Sequence, residues 1–290
     1  MSLTANPCDD ATNNLVIIDR KPVDGIKKKF GLCTKQLLFD KRNQGVKVIE
    51  WVHMLRILGV DKVYIQIRNI HEDVVEVLNH LQSKGLLEWR YYADPSGTAD
   101  TKLRTRQHRL LQMNVMNDCF YQVKNLYDFV AIFDPDEVIM PVANEDRTWE
   151  DMFTHLDSSF SSSDAFAVAN TYFPNQKLQP FKDIPTHNYM LQHVQRSVEI
   201  LQKGQGEKSF FNTERVLVVH NHYALKCLYG KNNFYCRNPK VPLKIAQVNH
   251  YRDEVEKKFN VTVLDSTIWK YKDELIARVQ ESLNEIQFRP

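Results

Sequence analysis

Long apolar runs are missing from this 290-residue sequence. None approaches the roughly 20 residues that a helix needs to span a bilayer. Met1 to Asp19 has no basic region followed by an apolar core, so no signal peptide is read there. Charge of one sign is also missing. The 38 Lys and Arg against 36 Asp and Glu leave a net charge of +2, which gives no case for nucleic acid or an anionic membrane as partner. Cysteine is scarce. Cys8, Cys33, Cys119, Cys227 and Cys236 show no CxxC spacing, so a structural zinc site is not expected, and they are too few for a disulfide scaffold. Cys227 and Cys236 close a short loop and could bridge in an oxidising compartment, although two free buried thiols fit the sequence as well. There is no internal repeat, and no linker long enough to force two independent domains. What is present is 43% hydrophobic and 26% charged, an ordinary globular composition with a core to bury.

Residues 1 to about 25 are polar and read as a loosely packed lead-in. The rest reads as one domain, with a first half over about 26–141 and a second over about 142–290. Phe30 to Lys35 can form a first strand that places Thr34 and Lys35 at its C-terminal end. Val48, Trp51, Val52, Leu55 and Leu58 follow helical spacing, and Gly59 is placed to stop that helix. Val63 to Ile67 is a strand by its β-branched and aromatic content. Asn69 can cap a second helix carrying Val74, Val77, Leu78 and Leu81 on one face. Leu86 to Tyr91 is a third strand, and Asp94-Pro-Ser-Gly97 a loop. Leu103 to Tyr121 is a third helix, and Phe129 to Phe133 a fully buried fourth strand. This alternation implies a parallel sheet flanked by helices, with right-handed crossovers.

After Pro141 the rhythm changes. Trp149 to Leu156 reads as a short helix, and the serine-rich Asp157 to Asp164 as a mobile surface loop. Ala165 to Tyr172, Tyr189 to Arg196 and Arg215 to Val219 read as strands without long helices between them. Gly204-Gln-Gly206 is a turn. Asp265 or Ser266 can cap a last helix striped with Ile268, Tyr271, Leu275, Val279 and Leu283. The expected fold class is α/β, with an antiparallel C-terminal extension that closes over the parallel half.

Asp134-Pro-Asp136-Glu137 stands at the C-terminal end of the Phe129 strand. That end is where open α/β sheets bind ligands. Paired hard oxygen donors there suit Mg²⁺ or Mn²⁺ carrying a substrate's phosphates. An acidic turn shaped by Pro135 is the plainer alternative. The run also matches the nucleophile motif of haloacid-dehalogenase-type phosphatases. Those sites need a later acidic pair, usually after glycine. The glycines beyond Pro141 are Gly204, Gly206 and Gly230, and none precedes an aspartate.

A second match extends over much of the chain. Glu50-Trp51 through Gly59-Val60 and Val63-Tyr-Ile65, Gln112 with Asn117-Asp118-Cys119, Phe133 to Pro141, Lys208-Ser-Phe210, Asn221-His-Tyr223 and Asn249-His-Tyr-Arg252 occur in one order. Together they resemble glycosyltransferase family 92, in particular its invertebrate members. Pro135 replaces the small or aliphatic residue expected within the acidic motif, where the intervening side chain is not a ligand.

The resemblance implies a GT-A-like, Rossmann-type mixed sheet flanked by helices. It implies transfer of a hexose, expected to be galactose, from a UDP-sugar to a glycan or glycoprotein acceptor with Mn²⁺ or Mg²⁺. Asp134 and Asp136 would hold the metal, with His222 and His250 as further ligands, although a structural histidine is the commoner fate of any single His. Thr34, Lys35, Gln112, Asp118, Asp134 and Lys208 are the expected nucleotide-sugar contacts. Lys208 would act as a point charge on phosphate. Gln112 and Asp118 either reach the donor sugar or cap and pack. An inverting transfer needs a carboxylate base. Glu207, beside Gly206 and Lys208, is the choice, with Asp183, Glu199 and Glu214 as rivals. A non-catalytic glycan-binding relative of the same fold is the rival reading. Asn260-Val-Thr262 is an N-glycosylation sequon. The family's usual Golgi lumenal setting is the expected one, although no signal or anchor is read in this chain.

Overall fold

The computed structural model describes residues 4, 6–11, 20–39, 44–92, 101–156, 160, 162–175, 181–201, 204, 206–228, 236–253 and 255–286. The Asp94–Gly97 loop, Gln205, Gly230 and much of the lead-in lie outside them, as do three residues and Ser161 of the serine-rich segment.

In the first half, β1 (Lys28–Phe39), α1 (Gln44–Ile57), β2 (Val60–Ile70), α2 (Glu72–Ser83), β3 (Leu87–Tyr91), α3 (Thr101–Val123) and β4 (Tyr127–Ile132) alternate. The second half holds β5 (Glu137–Pro141), α4 (Trp149–Thr154), β6 (Ala165–Val168), β7 (Asn170–Pro174), α5 (Tyr189–Gln192) and β8 (Gln195–Ser197). It continues with β9 (Lys208–Asn212), β10 (Val216–Val219), β11 (Ala224–Cys227), β12 (Ala246–Arg252) and β13 (Thr262–Leu264). Two short 3-10 turns precede the final α6 (Lys272–Ile286).

The central sheet has six strands in the order β3-β2-β1-β4-β9-β6. The first four run parallel, and β9 and β6 continue the sheet antiparallel. The chain winds outward from β1 to β3, then returns through α3 to set β4 on the other side of β1. A crevice opens where the order reverses, outside the C-terminal ends of β1 and β4.

Side-chain alternation divides the core. Phe30, Leu32, Val63, Ile65, Ala131 and Phe210 face the helices α1, α2, α4 and α6. Cys33, Tyr64, Val130, Ile132 and Phe211 face α3 and the β10–β11 hairpin. Gly31 lies against Tyr127, whose ring carbon would stand 2.5 Å from an added Cβ. A second sheet, β5-β12-β7, pairs β12 antiparallel to β5 and parallel to β7. The passage from β4 to β5 therefore carries the chain from one sheet to the other.

Two expectations change. Tyr189 to Arg196 is not one strand. The buried Glu50 carboxylate of α1 accepts hydrogen bonds from Met190 N at 2.9 Å and Leu191 N at 3.4 Å, and these tertiary contacts turn the segment into α5 before β8 begins. His71 rather than Asn69 caps α2, because its Nδ1 accepts from Asp73 N at 3.2 Å. The expected antiparallel extension is present: β9 pairs with β4 and β6 with β9, so the second half continues the parallel sheet as a mixed one.

Cys227 and Cys236 are bridged, and so are Cys33 of β1 and Cys119 of α3. The second bridge was not read from the sequence, because its partners stand 86 residues apart. Closing a loop that long restricts the unfolded chain, with an effect on the order of 2–5 kcal/mol. The Cys33→Ser/Cys119→Ser variant should therefore unfold at lower urea concentration than the oxidised parent by about that amount. Urea melts with and without reductant check it: reduced parent and variant should converge.

Candidate active site

The acidic run forms the turn between the two sheets. Asp134 O accepts from Glu137 N at 3.0 Å, which places Pro135 at the second position of a β-turn, where its fixed φ fits. Asp134 N donates back to Glu137 Oε2 at 2.9 Å. The Trp51 indole of α1 donates to Glu137 O at 2.9 Å, and Tyr251 N of β12 donates to Asp136 O at 2.8 Å. The turn is thereby held from three directions.

Beneath it lies a buried ion pair. Lys208 Nζ, at the start of β9, stands 2.8 Å from Glu137 Oε2 and donates to Asn221 Oδ1 at 2.8 Å. Burial alone would push the Glu137 carboxyl up. The charge of Lys208 and then that of His250 outweigh it and hold Glu137 below its ordinary range. Lys208 is thus an internal counter-ion of the turn rather than a surface lysine.

Asp136 is part-exposed, and its Oδ2 faces His250 Nε2 at 3.4 Å. His250 Nδ1 lies 3.5 Å from Glu137 Oε1 and 3.0 Å from the Asn170 amide nitrogen. Asp136, Glu137 and His250 bring one ligand atom each within 4.8 Å of one another. Two carboxylates and an imidazole at that separation suit a divalent ion such as Mn²⁺. Asp134 lies outside this group. Its Oδ2 meets Lys35 Nζ of β1 at 2.5 Å, while its buried Oδ1 has no partner among the described residues. Burial works against the Lys35 charge, but Asp134 outweighs it and holds that ammonium above its ordinary range.

His222 sits just beyond β10. Its Nδ1 lies 2.8 Å from Glu207 O. A carbonyl only accepts, so Nδ1 carries the proton and Nε2 keeps its lone pair, as in metal-bound imidazoles. Burial and then Lys208 hold its pKa down, which favours the neutral ring. His222 is nevertheless outside the three-residue group. Glu207 is 5% exposed, and its Oε2 accepts from Gly204 N at 2.6 Å. Its carboxylate is engaged within its own loop.

A polar network occupies the α3 side of the crevice. The buried Thr34 hydroxyl accepts from Gln66 N at 3.3 Å. Arg90 Nε donates to Gln66 Oε1 at 2.8 Å and pairs with Asp118, which also accepts from Gln122 at 3.0 Å. Gln112 is half-buried farther toward the N-terminus of α3. Thr34 and Asp118 are bonded within this network, whereas Asp134, Asp136, Lys35, Lys208 and His250 gather at the acidic turn.

On the α1 side, a cleft of about 500 Å³ is bounded by Leu37, Lys47, Asp136, Tyr189, Arg252 and Asp253. Glu50 supports its wall by capping α5. Sequence reading assigned no role to Glu137, Asn170 or Asp253. Glu137 was visible within the Asp-x-Asp-Glu run, and Asp253 directly follows the His-Tyr-Arg segment. Asn170 carried no signal of its own.

The family model of glycosyltransferase family 92 matches residues 28–286, and the chain belongs to that family. No curated protein matches. Among solved structures, the chain is similar to S. aureus TarS 1-349 in complex with UDP-GlcNAc, at 11% identity and TM-score 0.39, covering 89% of this chain and 73% of that one. It is also similar to a glucose-1-phosphate thymidylyltransferase from Bacillus anthracis, at 13% identity and TM-score 0.33, covering 65% and 72%. The WbbM bifunctional glycosyltransferase matches at 10% identity and TM-score 0.27, covering 67% and 33%. These likenesses are distant and assign no residue a role.

Breaking the buried pair by Lys208→Met leaves Glu137 uncompensated, and should destabilise the fold by about 3–5 kcal/mol in denaturant melts. Adding Glu137→Gln should recover part of that loss. Glu50 supplies a pH test. Burial pushes its carboxyl up to about 7, against the hydrogen bonds from Met190 and Leu191. A folded-state pKa above the unfolded value gives stability that is present at low pH and lost as pH rises through the folded pKa. Relative to Glu50→Gln, the parent should therefore lose roughly 1–3 kcal/mol between about pH 4.5 and 7. Urea melts at intervals across that range measure the change.

Proposed function

We propose that this member of glycosyltransferase family 92 transfers a hexose, with galactose as the first donor to try, from a UDP-sugar to a glycan or glycoprotein hydroxyl, with inversion and with a divalent metal. The observation that carries the metal-dependent reading is the convergence of Asp136, Glu137 and His250 at the C-terminal end of β4. These three would hold Mn²⁺ or Mg²⁺, with Asp134 and His222 as flanking donors. When bound, the ion supplies Lewis-acid neutralisation of charge on the departing diphosphate.

The chain's own residues have separate tasks. The Asp134–Glu137 turn presents fixed carboxylates, because main-chain and indole bonds prevent it from opening. Lys208 keeps Glu137 ionised and available without itself reaching solvent. Lys35, paired with Asp134, would offer its charge to a phosphate oxygen. Gln112 and Asp118 would meet the nucleotide from the α3 side, whereas the fully buried Thr34 holds the backbone of β2 through Gln66 N. Glu207 fits a loop-forming role better than that of the base, since its carboxylate is already bonded. The two disulfides support folding in an oxidising compartment, consistent with a secretory setting.

Thermal unfolding with a panel of nucleotides, with and without Mn²⁺, tests the reading. A ligand that binds only the folded state stabilises it by about 2.7 kcal/mol at one hundred times its Kd. UDP should raise the midpoint only with Mn²⁺, and Asp136→Ala should abolish the rise. No shift with any nucleotide in a folded sample would favour the non-catalytic glycan-binding relative.

A further inference from the structure

The cleft on the α1 side contains a carboxylate that the acidic turn does not use. Asp253 follows β12 directly, is solvent-exposed, and lines the cleft together with Asp136. Asn175 Nδ2 at 3.3 Å and the Tyr189 hydroxyl at 3.2 Å both donate to its Oδ1. No bond among the described residues falls on Oδ2. Tyr189 is itself fixed: Lys47 Nζ stands 3.8 Å from its ring centroid, the His193 ring lies 4.1 Å away, and Glu50 caps the turn on which it sits. One oxygen of Asp253 is therefore anchored by Asn175 and Tyr189, the other makes no bond among the described residues, and the residue lines the cleft.

We propose that the cleft receives the carbohydrate acceptor and that Asp253 is the base that takes the proton from the attacking hydroxyl. This rests on the glycosyltransferase reading above. In the step, the acceptor oxygen forms a bond to the anomeric carbon, and its proton passes to Asp253 Oδ2. The bond between that carbon and the diphosphate oxygen breaks, and UDP leaves with the electron pair. The products are the glycoside, UDP and one proton.

Position favours Asp253 over the carboxylates singled out by sequence. Glu207 is 5% exposed and bonded to Gly204 N. Asp183 is paired with Lys272 and Glu214 with Lys27, and neither they nor Glu199 line the cleft. Ionisation also fits. Burial pushes the Asp253 carboxyl up, but the bonds from Asn175 and Tyr189 and the charge of Lys47 outweigh it, leaving the group below its ordinary range and so in the carboxylate form. Lys47 and Arg252 at the rim supply donors for sugar hydroxyls.

The test compares the parent chain with Asp253→Asn, Asp253→Ala and Tyr189→Phe, using UDP-galactose and a set of oligosaccharide acceptors. Asp253→Asn should lower kcat about 10²–10⁴-fold, the usual effect of removing a general base. It should leave the acceptor KM and the Mn²⁺-dependent UDP shift in midpoint nearly unchanged. Formate should restore part of the activity of Asp253→Ala, because a free carboxylate can occupy the vacated space. Tyr189→Phe removes one anchor and should cost only a few-fold. A folded Asp253→Asn that keeps kcat within a few-fold, or that raises only the acceptor KM, would overturn the assignment while leaving the transferase intact. A parent that neither binds UDP nor transfers any sugar would overturn both.

Discussion

The buried pair of Lys208 and Glu137 is the constraint on which the candidate site depends. It joins β9, in the six-stranded sheet, to β5, in the three-stranded one, across 2.8 Å. A lysine this deep is costly unless a carboxylate and further acceptors meet it. Glu137 and Asn221 do so. The same carboxylate accepts from Asp134 N and faces His250. One side chain thus neutralises the lysine, ties the acidic turn and contributes to the three-residue cluster. Such groups act as a unit, so their separate contributions are not additive.

Around that pair, the sheet order separates two approaches to one acidic turn. Winding β1, β2 and β3 to one side and returning through α3 leaves a crevice between β1 and β4. Alternation along β1 directs Leu37 and Phe39 toward the α1 cleft. On the α3 side, Gln66, Arg90 and Asp118 form the polar network instead. Asp134 and Asp136 stand at the junction. Under the proposed reading, that junction would let two substrates meet at one centre in a fixed geometry.

Much of this was legible because it is local. Helical spacing of Val48, Trp51, Val52 and Leu55 and the β-branched run at Val63 report burial patterns that repeat every few residues. The Asp134–Glu137 turn announces itself through Pro135 and the apolar strand before it. The failures were not local. Tyr189 to Gln192 reads as strand by composition and becomes a helical turn because Glu50 reaches it from α1. His71 displaced Asn69 as a cap because its own ring nitrogen found the Asp73 amide.

The sequence by itself determined the strand–helix alternation, the acidic strand end and the family to which the chain belongs, since these are written in short-range periodicity and ordered motifs. Only the tertiary structure decided which of those residues meet. It placed Glu137 and His250 with Asp136, gave Asp134 to Lys35, turned the Glu207 carboxylate back onto Gly204, and joined Cys33 to Cys119. Each of these depends on sheet order and strand register, which bring distant parts of the chain within hydrogen-bonding reach. Periodicity reports which face of an element is buried, but not which element will lie against it.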